Sequence, residues 1–267
     1  MKPILSIAGS DCSGGAGIQA DIKTFSAHEL FGMSVVCSVV AENTQTVLDY
    51  QDINIDIINK QIEAIFEDLR PEAVKIGMLS SKEIMNTVAI KLKEYQAKNI
   101  VVDPVMFAKN GSALMARDSI ETLKAVILPI ADLITPNIPE AEEIAQMKIE
   151  NHKDMEKAAK IIINMKAKAV LIKGGHSKED ATDILYDGKN FYYYKAERIN
   201  TKNTHGTGCT YSSAIASNLA KGLSLNEAVA QAKKYVTTAI KHSLNIGSGH
   251  GPTNHFYNLY QNQKKED

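Results

Sequence analysis

PILSIAGSDCSGGAGIQADIKTF (Pro3–Phe25) reads as a β-branched strand that breaks into a glycine cluster and restarts as a helix. The run Pro3–Gly9 is almost continuously apolar, which suits a parallel strand covered on both faces. Five stretches of the same character follow: SVVCSVVA (Ser34–Ala41), EAVKIG (Glu72–Gly77), NIVVDP (Asn99–Pro104), DLITPN (Asp132–Asn137) and AVLIKGG (Ala169–Gly175). Helical patterns separate them. Ile55–Leu69 puts Ile58, Ile62, Ile65 and Leu69 on one face, and Lys82–Gln96 and Met155–Met165 are built alike. Near the end, Gly206–Ala220 and Leu225–Ser243 read as consecutive helices broken at Lys221–Gly222. Strand–helix alternation of this kind predicts an α/β fold, a central mostly parallel sheet sandwiched between helices. TDILYDGKNFYYYKAERI (Thr182–Ile199) adds a small β-hairpin insert turning at Asp187–Gly188. With no repeat, low-complexity tract or linker, residues 1–267 are expected to form a single domain.

In such sheets ligands gather beyond the carboxyl ends of the strands, so those ends hold the candidate site. The first glycine cluster fits neither standard nucleotide fingerprint. Gly9 and Gly14 have the spacing of a P-loop, but Gly15 and Ala16 stand where Lys and Ser/Thr are needed, and GxGxxG is absent. A tight strand-to-helix turn accounts for these glycines equally well.

The bulk numbers restrict the class of function. A net charge of −1 provides no global field for nucleic acid or an anionic membrane, so neither is expected as a partner. The N-terminal apolar run is far too short for a signal-peptide core or a spanning helix. Three scattered cysteines (Cys12, Cys37, Cys209) argue for a reducing, cytoplasmic setting and against a disulfide framework or zinc site. His176, His205, His250 and His255 have no helix-spaced metal pattern and are expected as surface or capping residues.

The sharper signal is INTKNTHGTGCTYSSAIASNLAKG (Ile199–Gly222). Here a small-residue turn, Thr204-His205-Gly206-Thr207-Gly208-Cys209, runs straight into an Ala/Ser-rich helix. Glycines allow close approach to a ligand, and the open N–H groups of the first helical turn suit an anion. Cys209 falls at that positive helix end, where a thiol pKa tends to be lowered; a small buried hydrophobe beside close-packed glycines is the alternative.

THGTGCT resembles the glycine turn of ribokinase-like enzymes, in the form carried by the hydroxymethylpyrimidine/phosphomethylpyrimidine kinases, where Cys replaces the usual Asp. Ala8–Thr24 is similar to that family's AGSDxSGGAGIQADxKT opening. Lys75–Leu79 resembles KxGML, Asp103–Lys109 DPVMxxK, and Thr135–Glu140 TPNxPE. KGGH (Lys173–His176) and GSGHGPTNHF (Gly247–Phe256) complete a set spread in order over nearly the whole chain.

The resemblance implies a ribokinase-like three-layer sandwich, ATP and Mg²⁺ as cofactors, and a homodimer. The implied reaction is phosphorylation of 4-amino-5-hydroxymethyl-2-methylpyrimidine to its monophosphate and then its diphosphate, in thiamine biosynthesis. By the same likeness Cys209 is the base, and Gly206, Thr207 and Gly208 form the anion hole. Asp103 and Glu140 organise the metal. Asn137, Lys173, Thr204 and Lys109 serve ATP and its phosphates, with Lys109 in a closing flap. Gly9, Asp21, Glu42, Met78 and Val105 line the substrate site, with Asp21 near the hydroxymethyl group.

One departure stands out. The family writes QNT at the end of its second strand, with Gln on the pyrimidine edge, and this chain has Glu42-Asn43-Thr44. A Gln amide donates and accepts, whereas an ionised Glu only accepts, so a second bond needs a proton on the ring or on Glu42 itself. A pyridoxine/pyridoxal kinase of the same fold is the competing enzyme. A non-catalytic sensor on this scaffold would lack the phosphoryl-transfer residues, which are present here.

Overall fold

The computed structural model describes residues 1–106, 115, 119–176 and 181–266. In chain order the elements are β1 (Pro3–Asp11), α1 (Gly17–Ala27), β2 (Phe31–Glu42), β3 (Val47–Asp52), α2 (Ile55–Asp68), β4 (Val74–Ile76) and α3 (Lys82–Glu94). Next come β5 (Ile100–Val102), α4 (Ser119–Thr122), β6 (Leu133–Ile134), α5 (Ile138–Ala145), α6 (His152–Ile163) and β7 (Val170–Ile172). The chain continues through β8 (Asp183–Tyr186), β9 (Phe191–Tyr194), α7 (Thr207–Lys221), α8 (Leu225–Lys241) and α9 (Tyr257–Glu266).

The strands form one nine-stranded sheet in the order β3-β2-β1-β4-β5-β6-β7-β8-β9. The six central strands are parallel, while β3, β8 and β9 add antiparallel edges. Side chains of the inner strands go alternately to two cores. Leu5, Ile7, Ile100, Val102, Ile134 and Val170 pack against α2, α3, α5 and α6. Ile4, Val101, Leu133, Leu171 and Leu185 pack against α7, α8 and Phe25 of α1. Both faces are therefore covered, which is why the strands read as apolar runs and not as alternation. This is the three-layer sandwich expected. No helix among the described residues is long and apolar enough to cross a membrane.

Two features differ from the sequence reading. The hairpin turning at Asp187–Gly188 is a continuation of the main sheet, because β8 pairs with β7 over Val170–Ile172. β3 was not foreseen: VLDYQD has neither an apolar run nor regular alternation, and nearly all of it is exposed.

Chain order reverses between β1 and β4, since β1 leads outward to β2 on one side while β4 lies on the other. A crevice opens at such a point. Two bulges shape its rim. The β1–β2 register slips between Ala8 and Gly9, and the β2–β3 register slips between Ala41 and Glu42. Each turns the residue after it relative to the ladder.

Candidate active site

Above the carboxyl ends of the strands lies a cleft of about 770 Å³. Gly9 and Glu42 line it from β1 and β2, and Met78, Asp103, Asn137 and Lys173 from the residues just after β4, β5, β6 and β7. Val105, Glu140, Thr204, Gly206, Thr207, Gly208 and Cys209 complete the expected set within the same cleft. Lys109 lies outside the described residues.

The first glycine turn is held by its own anion. The Asp11 carboxylate accepts from the Ser13 N–H (2.7 Å), the Gly15 N–H (3.0 Å) and the Ala16 N–H (2.7 Å), and contacts His205 Nε2 at 2.9 Å. N–H groups of a kind that cradle phosphate elsewhere are thus already occupied here. Burial works to raise the Asp11 pKa, but the bonds from His205, Ser13 and Ala16 outweigh it and hold the carboxyl well below the usual carboxylate range. His205 is accordingly buried and structural, not a surface residue as its isolated spacing had indicated. His255 is buried as well, against Thr210.

The two glycine turns pack on each other. Gly206 caps α7 with φ of 75°, and a Cβ there would run into the Gly15 carbonyl oxygen. The turn can therefore approach this closely only as glycine. Gly208 faces the other way: a Cβ on it would lie 3.1 Å from Asp103 Oδ2 and 3.6 Å from Lys173 Nζ. Asp103 and Lys173 are ion-paired at 2.8 Å, with both side chains largely buried.

Asn137 and Glu140 form a reciprocal capping box at the start of α5, with Asn137 Oδ1 accepting from the Glu140 N–H at 2.9 Å and Glu140 Oε2 accepting from the Asn137 N–H at 2.8 Å. Burial pushes the Glu140 carboxyl up to about 7; the Lys173 ammonium opposes this, and the Asp103 carboxylate adds to it. Two carboxyls share one lysine. That donor set, hard oxygens with surplus negative charge, fits a divalent cation that prefers oxygen ligands.

Asp21 is the clear correction. Expected to line the substrate site, it is fully buried beneath it in α1 and ion-paired with Lys75 at 2.8 Å. It also accepts from Ser6 Oγ (2.6 Å) and Ser213 Oγ (2.7 Å). Three donors and complete burial leave it no face toward the cleft. Lys75, in β4 and at the head of the KxGML-like segment, has no solvent exposure either. Burial works against its charge, but Asp21, Cys209 and Asp103 together raise its pKa, so the ammonium persists beneath the α7 turn.

Cys209 needs a second correction. The helix end had suggested a lowered pKa, but burial pushes the half-buried thiol up to about 11. Lys75 and a bond from Gly17 oppose that shift, while the Asp21 and Asp103 carboxylates reinforce it. In the free protein Cys209 is a neutral thiol at pH 7.

Farther along the cleft, Asp183 accepts from the Gly174 N–H (2.8 Å) and from Lys233 Nζ (2.7 Å), and Lys233 stands over the Tyr211 ring. Val236 and Ile240 of α8 add apolar wall beside them. No sequence signal pointed to Asp183, Lys233 or the α8 residues, which come from separate elements without a motif.

A family profile described as phosphomethylpyrimidine kinase matches residues 11–254. A hydroxymethylpyrimidine/phosphomethylpyrimidine kinase of Bacillus subtilis is 48% identical over 254 residues, covering 94% of each chain. Among solved structures, a phosphomethylpyrimidine kinase from Clostridium difficile is 50% identical with a TM-score of 0.82, covering 90% of this chain and 100% of that one. A pyridoxal kinase from Bacillus subtilis, solved with ADP, is 39% identical with a TM-score of 0.90, covering 97% of this chain and 99% of that one.

Proposed function

The chain belongs to the phosphomethylpyrimidine kinase family, and on that premise we propose that its whole length acts as one kinase domain serving thiamine biosynthesis. ATP phosphorylates the hydroxymethyl group of 4-amino-5-hydroxymethyl-2-methylpyrimidine, and the monophosphate then accepts a second phosphoryl group. The observation that carries this reading is the convergence of the Gly206–Cys209 turn, the Asp103–Lys173 pair and the Glu42–Met78 wall in one cleft.

In each step the acceptor oxygen attacks the γ-phosphorus as the bond to the β-bridging oxygen breaks, and ADP leaves. Transfer of this kind depends mainly on positioning and on neutralising charge. The Gly208 and Cys209 N–H groups at the start of α7 are left for the transferring group, the Thr207 N–H being given to the Thr204 carbonyl, and Lys173 supplies positive charge beside them. Mg²⁺ held by Asp103 and Glu140 would neutralise charge on the nucleotide phosphates. Asn137 orients Glu140 through the capping box, and Thr204 lines the phosphate end. Gly9 packs beside Met78, and with Val105 they make the apolar wall for the ring.

The first transfer releases a hydroxyl proton, which passes to Cys209 through the small thiolate fraction that Lys75 and the bond from Gly17 sustain. The second needs no base, because a phosphate oxygen attacks already deprotonated. Lys75, anchored by Asp21, is thus the electrostatic floor of the transfer site.

A cytoplasmic homodimer fits the chain. One face of the edge strand β3 exposes Leu48 and Tyr50, an apolar surface that a second copy would cover. Pyridoxal is the second candidate acceptor, favoured by the fold match to the ADP-bound pyridoxal kinase. Initial rates with ATP and Mg²⁺ on the two alcohols separate the readings. The pyrimidine is expected to have the larger kcat/KM, and a larger value for pyridoxal would reverse the order.

A further inference from the structure

At the substrate end, Glu42, Asp11 and His205 bring two carboxyl oxygens and a ring nitrogen within 4.8 Å of one another. The bulge after Ala41 turns Glu42 into this cluster. Resting on the function proposed above, we propose that Glu42 reads the pyrimidine as a neutral carboxylic acid whose proton, in the free enzyme, is shared with Asp11.

The partners of Asp11 decide which carboxyl carries the proton. Asp11 already receives three backbone N–H groups and the His205 ring, all of which favour its ionised form. Glu42 has no such set of donors and faces that fixed negative charge. Two carboxyls this close cannot both ionise freely, so the proton goes to the one with less support. Burial and the Asp11 charge push Glu42 up to about 7, against the pull of His205. The same saturation of Asp11 leaves the trio poorly open to a metal ion.

The other groups around Glu42 come from each neighbouring element. Cys12, after β1, donates its thiol to the Glu42 carbonyl at 3.1 Å. Asp49 of β3 pairs across from Ala41, and its residue is exposed. His250 also lines the cleft, its N–H bonded to the Thr44 carbonyl and its ring to the Lys202 carbonyl. Of the titratable groups, Asp11 and His205 are the ones that shift Glu42.

The chemical consequence is specific. An ionised carboxylate would present only acceptors to a ring nitrogen that is itself an acceptor. A carboxylic acid donates its O–H to that nitrogen and accepts from the adjacent amino group through its carbonyl. This is the donor–acceptor pattern of an amide. A Glu can therefore replace a Gln here without losing the pairing, at the cost of a pH dependence that a Gln lacks.

The sign follows directly. The competent acid form is complete below the raised pKa and is lost as pH rises through it. The experiment is kcat/KM for the aminopyrimidine alcohol from pH 6 to pH 9, in the wild-type protein and in Glu42→Gln. Taking the ratio of the two cancels titrations of the substrate and of other groups. The ratio is expected to fall with pH, approaching about tenfold per unit above the midpoint. In parallel, ¹³C NMR of carboxyl-labelled glutamate in the free protein should show one resonance, absent from Glu42→Gln, that titrates near 7.

A ratio flat across the range overturns the proposal while leaving the kinase reading intact. So does a Glu42 resonance that titrates in the ordinary glutamate range, since the proton would then arrive with the ring. Failure of both proteins to phosphorylate the pyrimidine at any pH removes the function reading, and this proposal with it.

Discussion

Lys75→Met offers the most direct probe of how the transfer site is supported. The substitution keeps the length of the side chain and removes its charge from a position with no solvent exposure. Asp21, equally inaccessible, is left with the hydroxyls of Ser6 and Ser213 at 2.6 and 2.7 Å and no counter-charge. Removing one partner of a buried ion pair costs about 3–5 kcal/mol. With a urea m-value of about 3 kcal/mol/M, the unfolding midpoint should drop by roughly 1–2 M. Lys75→Met/Asp21→Asn removes both charges and keeps polar groups opposite the serines. The double variant should therefore be more stable than the single one, with a coupling energy of about 2 kcal/mol or more. Urea unfolding of wild type, both single variants and the double completes the cycle. As an internal control, Lys148→Ala removes an exposed pair with Glu142 and should leave the midpoint within error. A Lys75→Met unfolding free energy within about 1 kcal/mol of wild type, or a double variant less stable than Lys75→Met, would refute the buried-pair reasoning.

Three further outcomes follow from the same geometry. Alkylation of Cys209, measured in a Cys12→Ser background because Cys12 is exposed, should quicken with pH toward a midpoint of about 11; a midpoint below 8 would restore the activated thiol that the helix end suggested. Cys209→Ala should slow phosphorylation of the alcohol more than that of the monophosphate, because only the alcohol must lose a proton; equal losses in single-turnover rates would remove the base role. Gly208→Ala places a methyl 3.1 Å from Asp103 Oδ2, so the Asp103–Lys173 pair must shift. Its kcat should fall about 10²-fold or more with little change in thermal stability, and near-wild-type turnover would show that the turn is not held against that pair.

The layers of the fold were readable because parallel strands buried on both faces leave apolar runs, and such runs are hard to mistake when helices with a clear apolar face separate them. β3 escaped for the opposite reason. An exposed edge strand such as Val47–Asp52 needs no apolar pattern, and only its pairing with β2 defines it. In the site, residues just past strand ends were found because topology sends strand ends to the cleft. Asp103 and Lys173 are of this kind, whereas the Gly206–Cys209 turn at the start of α7 was found from its glycines.

What failed was the environment of each side chain. Asp21 falls on a helix that starts at the cleft, but the face it presents is settled by Lys75, 54 residues away. Cys209 does sit at a helix start, but burial and two carboxylates from α1 and the end of β5 override the helix end. His205 was expected at the surface because its partner Asp11 is 194 residues distant. Charge balance in a buried site is a sum over distant segments, and local sequence spacing does not carry it.

The central claim is that one cleft performs two successive transfers onto the same pyrimidine. Phosphorus NMR of a reaction started from the purified pyrimidine monophosphate, with ATP and Mg²⁺, tests it most directly. The account predicts loss of the monophosphate resonance and growth of a diphosphate doublet in step with ADP. A monophosphate that persists unchanged, while the same protein phosphorylates the alcohol, would contradict it.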